Sequence, residues 1–460
     1  MKSDKLLTAP VNSTIKEMTI PMMYGMILMM SFNIVDTFYV SMLGTESLAA
    51  FSFTFPVTFT LISLAIGMGI GVSAVVARTL GQKNHDLARQ HASVSIGVSA
   101  VLIYALAMII LAFLDPIFSA MGAKAENLTY IALYMSPWLL GCLLIIMPMV
   151  GNSVMRASGD TKTPAKVMAI GAIINAILDP IFIFGLGPIE AMGIKGAAIA
   201  SILASVVSCA IVYYRLIFSY DMLGWSYSMA QVWDSTKKLM AIGLPAAASN
   251  MMTPISSSIV TAIVATYGSE AVAAFGVGSR IESFVVIVVL ALSMSLPPFI
   301  SQNFGAGQIE RVKQGYMSSI KFVMLWQGGL YLLLIVSAHY IANLFAKDPK
   351  VAEIIVLYLM IVPISHGLVG VTILTNSSLN ALHKPMASIV LNIIRLFILT
   401  IPAAYLGGLW GGITGLIIGV SFAAGLAGVI AFVIIRYQFS QMGGISTDVN
   451  GLNQASVSKE

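Results

Sequence analysis

The sequence predicts an all-α, polytopic membrane protein of twelve transmembrane helices, arranged as two six-helix lobes. Three observations predict it. Charge is scarce while apolar runs are long, the cations gather on one side of those runs, and the second half of the chain repeats the first.

Apolar residues fill 58% of the 460 positions and charged residues 9%, against roughly 25% charged in an ordinary soluble domain. So few charges cannot cover a water-facing surface. The apolar runs exceed the roughly 18 residues that a helix needs to cross a bilayer core. A membrane barrel would instead alternate over segments of about 10 residues. The runs place helices at 16–42, 50–78, 91–113, 128–155, 164–185 and 194–218, and a second set at 239–266, 271–300, 314–338, 352–380, 386–406 and 410–435. Turn signals such as Leu43-Gly44-Thr45, Gly81-Gln82-Lys83-Asn84, Ser158-Gly159-Asp160 and Gly305-Ala306-Gly307 separate them. The Gly81 and Gly305 loops read as tight cytoplasmic turns in which glycine accepts unusual backbone angles.

Orientation follows from the cations. With the N-terminus inside, 18 of the 24 Lys and Arg fall on the cytoplasmic side and 4 on the other, while Arg280 and Arg395 lie within helices. This is the positive-inside pattern, and it returns both termini to the cytoplasm. The net charge of +5 therefore reports topology rather than an anionic partner. No basic tract interleaved with aromatics suggests nucleic-acid binding. Cys142 and Cys209 sit in apolar runs and imply no disulfide or metal framework. The polar N-terminal stretch has no cleavable leader pattern. The domains expected are a cytoplasmic segment (1–15), an N-lobe (16–218), a cytoplasmic linker (219–238), a C-lobe (239–437) and a disordered tail (438–460) rich in Gly, Ser and Asn.

The repeat holds one register. At an offset of 224, Pro21 matches Pro245, Gly44-Thr45-Glu46 matches Gly268-Ser269-Glu270, Gly81 matches Gly305, and Asn152-Ser153 matches Asn376-Ser377. Gly193-Ile194-x-Gly196 resembles Gly412-Ile413-x-Gly415 at a shorter offset. Six helices per repeat make both copies enter the membrane in one direction, so they are related by a pseudo-two-fold axis along the membrane normal. Such a duplicated bundle suits alternating access.

The charges within helices are Asp36, Asp179, Arg280, Glu282 and Arg395. Each is costly at bilayer depth and needs a partner, a cavity or a function. Asp36 lies in helix 1, and its repeat mate is Val260. Asn175 and Asp179 share one face of helix 5, and Pro180 frees the carbonyl of Ala176. This set suits a proton with its water or a small cation, Na+ included, with the alternative that Asp179 merely stabilises a proline kink. Arg280, Glu282 and Arg395 form a possible second polar site, with Arg395 a candidate partner for Glu282. His366 reads as a packed neutral imidazole rather than a proton relay. Met18, Met22, Met23, Met26, Met29 and Met30 give helix 1 a pliable apolar surface. Met26, Met30 and Asn33, with Asn152 of helix 4, are the candidate lining of a substrate cavity. No phosphate-binding loop, metal-ligand cluster or nucleophile motif is present. The chain reads as no enzyme, needs no cofactor, and must be driven by an ion gradient.

Pro21 followed by Asp36, the Gly81 loop with Arg78, Asn152-Ser153 with Arg156-Ala157-Ser158-Gly159-Asp160, Asn175-x-x-x-Asp179-Pro180, and Gly278-x-Arg280-Ile281-Glu282 together resemble the multidrug and toxic compound extrusion (MATE) family. The resemblance runs from about Ser13 to Tyr437. It implies two lobes in a V shape and drug or toxic-metabolite export coupled to inward H+ or Na+. Asp36, Asn175 and Asp179 look like the N-lobe cation site of the bacterial DinF-like branch; the NorM-like branch instead carries acids in helices 7 and 10, which this chain lacks. Some relatives complete the cation site with a helix 6 hydroxyl. Here Ala197 or Ala198 falls at that level and Ser201 one turn on, which tilts the reading toward protons. A monomer in the bacterial inner membrane is expected. The runner-up reading is a lipid-linked precursor flippase of the same superfamily, and the third is a channel or sensor, of which a channel would need a continuous polar path.

Overall fold

The computed structural model describes the backbone of residues 2–346 and 348–457, and the side chains of residues 5–442 apart from Asn33, Thr45, Ala49 and Lys347. Each of the twelve predicted helices has a counterpart. We name them α1 (Val11–Ser41), α2 (Thr45–Gly81), α3 (His85–Ala112), α4 (Ala125–Leu140 with Cys142–Ala157), α5 (Lys162–Phe184) and α6 (Ile194–Tyr214). The second set is α7 (Met229–Ala265), α8 (Ser269–Val285 with Ile287–Gly305), α9 (Ile309–Phe345) and α10 (Pro349–Ile361, then His366–Ala381). α11 runs from Pro385 and α12 follows it, the two meeting at Gly411–Gly412. A backbone buried in hydrocarbon must satisfy its own hydrogen bonds, which is why the chain stays helical wherever it is apolar.

Among the described residues nine helices are long and apolar enough to cross a bilayer, or ten with α4 taken as one span bent by 50°. The shortfall from twelve has local causes. α11 and α12 form one continuous run, Pro385–Met442. α7 carries Asn250, Thr253 and the polar run Ser256-Ser257-Ser258. α8 breaks at Val286 and is counted through its second half, Ile287–Gly305, while its first half holds Arg280 and Glu282. The backbone is helical as far as Val457, where composition predicts a disordered tail; once nucleated, a helix extends at little cost per residue.

The repeat is written into the turns. Gly44 and Gly268 precede α2 and α8 with nearly the same backbone angles, φ 105° ψ 172° and φ 105° ψ 169°. Asn84 N–H donates to Thr79 O, and Gln308 N–H to Asn303 O, in the turns before α3 and α9. Asp160 N–H donates to Met155 O, and Lys384 N–H to Leu379 O, in the turns before α5 and α11. All keep the 224 offset. Gly193 (φ 55°) and Gly412 (φ 60°) then match at the shorter one. The glycine expectation for the α2–α3 and α8–α9 turns needs correcting. Gly81 and Gly305 keep ordinary angles, and the left-handed position is two residues on, at Lys83 (φ 60°) and Gly307 (φ 74°).

The chain divides into two compact units. The first contains Lys16–Met251 and the segment ending at Thr8; the second contains Ala9–Ile15 and the chain from Met252. The boundary thus falls within α7 rather than in the predicted 219–238 linker. Contacts in the first unit explain this. Arg89 of α3 donates to Leu223 O at 3.0 and 2.9 Å and pairs with Asp221. Gln90 and His91 meet Ser235 at 3.0 and 2.9 Å. A Cβ on Gly67 of α2 would sit 2.3 Å from Ala247 N, so the early part of α7 lies against α2 backbone to backbone. At the start of α5, Asp160 accepts from Lys162 N, Thr163 N and the Tyr220 hydroxyl. Burial and then the Asp160 carboxylate push that hydroxyl up, so it stays a donor. The first unit's core is built around Phe118, Tyr134, Trp138 and Leu139, and the second's around Ile355, Tyr358 and Leu359.

A side chain at positive φ costs roughly 1–2 kcal/mol relative to glycine. Lys83→Gly is therefore expected to raise the thermal midpoint of the detergent-solubilised protein and Gly307→Lys to lower it. Shifts of the same sign in both would contradict the shared turn geometry.

Candidate functional site

The site is organised by α1 and α5, which run side by side in the same sense. From the N-terminal ends of the two helices, Lys162 Nζ lies 3.3 Å from Glu17 Oε1. Next, a Cβ on Gly25 would sit 3.1 Å from Ala165 Cα. Then Asp36 and Asp179 meet side chain to side chain, and last the Tyr39 and Phe184 rings pack edge to face with centroids 6.2 Å apart. The order along each helix is the same at all four levels, so the acid–acid contact is part of a continuous seam.

Asp179 is fully buried, and Asp36 is partly buried. Asn175 Nδ2 donates to Asp179 Oδ1 at 3.2 Å and to Ser201 Oγ of α6 at 3.3 Å. Asp36 Oδ1 and Asp179 Oδ2 are buried without a hydrogen-bond partner among the described residues. Tyr134 of α4 lies within the field of both carboxyls, and its ring is held edge to face against Phe51 at 5.3 Å. Two ionised carboxylates have only acceptors to offer each other, so their contact is favourable only with a proton shared as a hydrogen bond or a cation held between them.

Sequence reasoning found Asp36, Asn175 and Asp179, and the structure brings these three together. It missed Tyr134, whose only signal is a hydroxyl in an apolar run. It also placed the helix 6 hydroxyl wrongly: Ser201, one turn beyond the expected level, is bonded to Asn175. That supplies a neutral oxygen, and hard cations take oxygen ligands. Among the described residues no group of three His, Cys, Asp or Glu side chains could hold a metal ion.

The cavity candidates scatter. Met26 is buried, as are Met18 and Met22, so this stripe of α1 is packing rather than open surface; Met30 is half-buried. Asn152 is buried, with Oδ1 lacking a partner among the described residues. The Asn33 side chain lies outside the described residues.

The second polar site does not assemble as predicted. Glu282 accepts from the Tyr358 hydroxyl at 2.8 Å and lies 3.4 Å from His366 Nε2. His366 is thus next to a carboxyl rather than packed alone, at ion-pair distance but without hydrogen-bond alignment. Arg395 instead reaches Thr253 Oγ1 at 3.4 Å, and Arg280 is exposed. Glu282 could be claimed by helix 10 because a Cβ on Gly278, one turn earlier, would lie 2.5 Å from the Tyr358 ring. That glycine lets the two helices close.

Comparison with known proteins decides the family. The MatE family model matches residues 21–181 and 245–406, one copy in each repeat. The chain belongs to the MATE family. Its members are transporters rather than enzymes, which makes this chain a multi-pass membrane transporter of small molecules. An FAD transporter of Shewanella oneidensis is 40% identical over 94% of this chain and 96% of its own length. The multidrug export protein MepA of Staphylococcus haemolyticus is 26% identical over 95% and 96%. The Vibrio cholerae MATE transporter VcmN, solved in a bent form, matches with a TM-score of 0.90 at 32% identity, covering 96% of this chain and 98% of that one.

Asn175→Leu would leave Asp179 Oδ1 buried without its donor and is expected to destabilise the protein by roughly 1–3 kcal/mol. Ser201→Ala removes one neutral bond and should cost about 1 kcal/mol. Thermal unfolding in one detergent compares them, and a larger loss for Ser201→Ala would contradict the assigned donor pattern.

Proposed function

We propose that this transporter exports a flavin dinucleotide in exchange for inward protons, and that the Asp36–Asp179 pair is the proton site. The observation that carries the substrate is the 40% identity with the FAD transporter across nearly the whole of both chains, against 26% for the multidrug exporter MepA. The second reading keeps export and changes the cargo to cationic or amphipathic drugs, in line with the MepA relatives.

The coupling step follows from the seam. With both carboxyls ionised, Asp36 and Asp179 repel across low-dielectric surroundings and draw in water. A proton from the outer side converts repulsion into a hydrogen bond between them. That draws α1 toward α5 along the Gly25–Ala165 and Tyr39–Phe184 contacts. α1 bends at its weakest point, where Pro21 removes a backbone bond, and the cargo is released. Asn175, positioned by Ser201, holds Asp179 in register. The protein sits in the bacterial inner membrane with both termini in the cytoplasm, as its cation distribution supports. Ser201 favours a sodium variant of the same step, because it adds a neutral oxygen beside Asn175 and Asp179.

Sodium-free proteoliposomes with an acidic lumen test this. Wild type should accumulate FAD, and Asp36→Asn should reduce initial uptake at least ten-fold while the protein remains folded. Uptake by wild type only when a sodium gradient is imposed would replace the proton with Na+ at this site. A folded Asp36→Asn that still concentrates FAD would remove Asp36 from coupling.

A further inference from the structure

α11 begins at Pro385, and Arg395 lies ten residue steps further along the helical backbone. At 1.5 Å per residue this places Arg395 about 15 Å along, near the middle of a hydrocarbon core about 30 Å thick. A guanidinium keeps its proton in a protein. Arg395 is therefore a permanent cation at a depth where a charge costs at least about 3 kcal/mol. Such a group normally pairs with an acid or opens onto water.

Arg395 has no acid. Among the described residues no carboxylate lies within ion-pair distance of it. Glu282, the acid that sequence alone would assign to it, is taken by Tyr358 and His366. The polar side chains earlier on α11 are engaged with α10: Asn392 accepts from Asn376 at 2.9 Å, and Ser388 donates to Asn376 at 3.0 Å. What remains is one long contact from Nη2 to Thr253 Oγ1, at 3.4 Å and on the exposed side of the residue, while Nε is buried with no partner. A π-helical stretch, Ile394–Thr400, begins at this point, and such widenings recur at functional sites. In the first repeat the matching helix, α5, carries Asp179 and no arginine, so the polarity is opposite in the two copies.

We propose that Arg395 is the subsite for the diphosphate of the transported molecule. The fork of guanidinium donors matches a pair of phosphate oxygens, and a doubly charged diphosphate supplies the counter-charge that the protein withholds. The identity of that molecule as a flavin dinucleotide rests on the function proposed above; the diphosphate chemistry rests on Arg395 itself. A lipid-linked diphosphate offers the same group, so the test separates the two.

Three measurements on the full-length protein decide it. First, inorganic pyrophosphate should raise the thermal midpoint of wild type and leave Arg395→Gln unmoved. Without ligand, Arg395→Gln should unfold no earlier than wild type, because an uncompensated charge has been removed; an arginine kept for structure would lower the midpoint. Second, in proteoliposomes Arg395→Gln should raise the KM for FAD at least ten-fold, and Arg395→Lys, which keeps the charge but loses the fork, at least three-fold. Third, pyrophosphate should compete with FAD on wild type and not on Arg395→Gln. Equal stabilisation of both proteins by pyrophosphate, or a KM for FAD within two-fold of wild type in Arg395→Gln, overturns the subsite. If Arg395→Gln does not fold, Arg395→Lys decides by the same criteria. Wild type that binds pyrophosphate through Arg395 and moves a polyprenyl diphosphate lipid but not FAD retains the subsite and rejects the flavin reading. Wild type that moves FAD without any Arg395 dependence does the reverse.

Discussion

Hydrocarbon offers no hydrogen bonds and solvates no charge. Nearly every feature of this protein follows from that constraint. The chain is helical because each amide must find its partner within its own segment. Its cations gather in the loops on one side. The few charges left inside are therefore informative in proportion to what they cost. Asp179 is fully buried among α5 and its neighbours, and it is tolerated because Asn175, Ser201 and Asp36 answer it in different ways. Asn175 donates, Ser201 fixes Asn175, and Asp36 supplies a second carboxyl that must share something with the first.

The two repeats have spent their polar residues differently on one backbone plan. Turn geometry is duplicated to within a few degrees at Gly44 and Gly268, so divergence of the backbone does not explain the difference in chemistry. In the first unit the acids face one another and no arginine or lysine joins them. In the second, an acid is matched to a phenol and an imidazole, and among the described residues an arginine is matched only to a threonine. Duplication supplied a scaffold on which one copy pairs two acids while the other keeps an arginine with no acidic partner among the described residues.

How much of this was legible in the sequence depends on the kind of residue. The helices were legible because apolarity over 18 residues is a strong signal, and the repeat was legible because glycine turns tolerate few substitutes. Asp36 and Asp179 stood out as charges in apolar runs, and Asn175 followed from helical spacing. Tyr134 and Tyr358 did not, since an aromatic in an apolar run is ordinary. Ser201 was misjudged by one turn because the level of α6 against α5 depends on packing that no local pattern encodes. Glu282 was given the wrong partner for a similar reason. Opposite charge suggested Arg395, whereas the close approach allowed by Gly278 put Tyr358 and His366 there first. The left-handed turn residue was placed two positions early, because Gly81 was visible and the strain at Lys83 was not.

Placing the ion on acids in one unit and a phosphate on an arginine in the other has a thermodynamic consequence. No single residue then binds both, so direct competition for a shared carboxylate cannot couple them. Coupling must instead be a free energy carried by conformation: the proton changes the affinity for cargo only if the protonated and unprotonated forms differ in how they present Arg395. Linkage makes this reciprocal. Cargo on Arg395 must alter the proton affinity of the Asp36–Asp179 pair by the same factor that the proton alters cargo binding. A seam such as α1–α5, fastened at four levels yet weakened at Pro21, is the kind of element that can have two arrangements rather than a continuum of them. The sign also follows. A proton that promotes release of an anion must favour the arrangement in which the arginine is less available, so electrostatic attraction between added positive charge and anionic cargo works against the exchange. The conformational term has to exceed it.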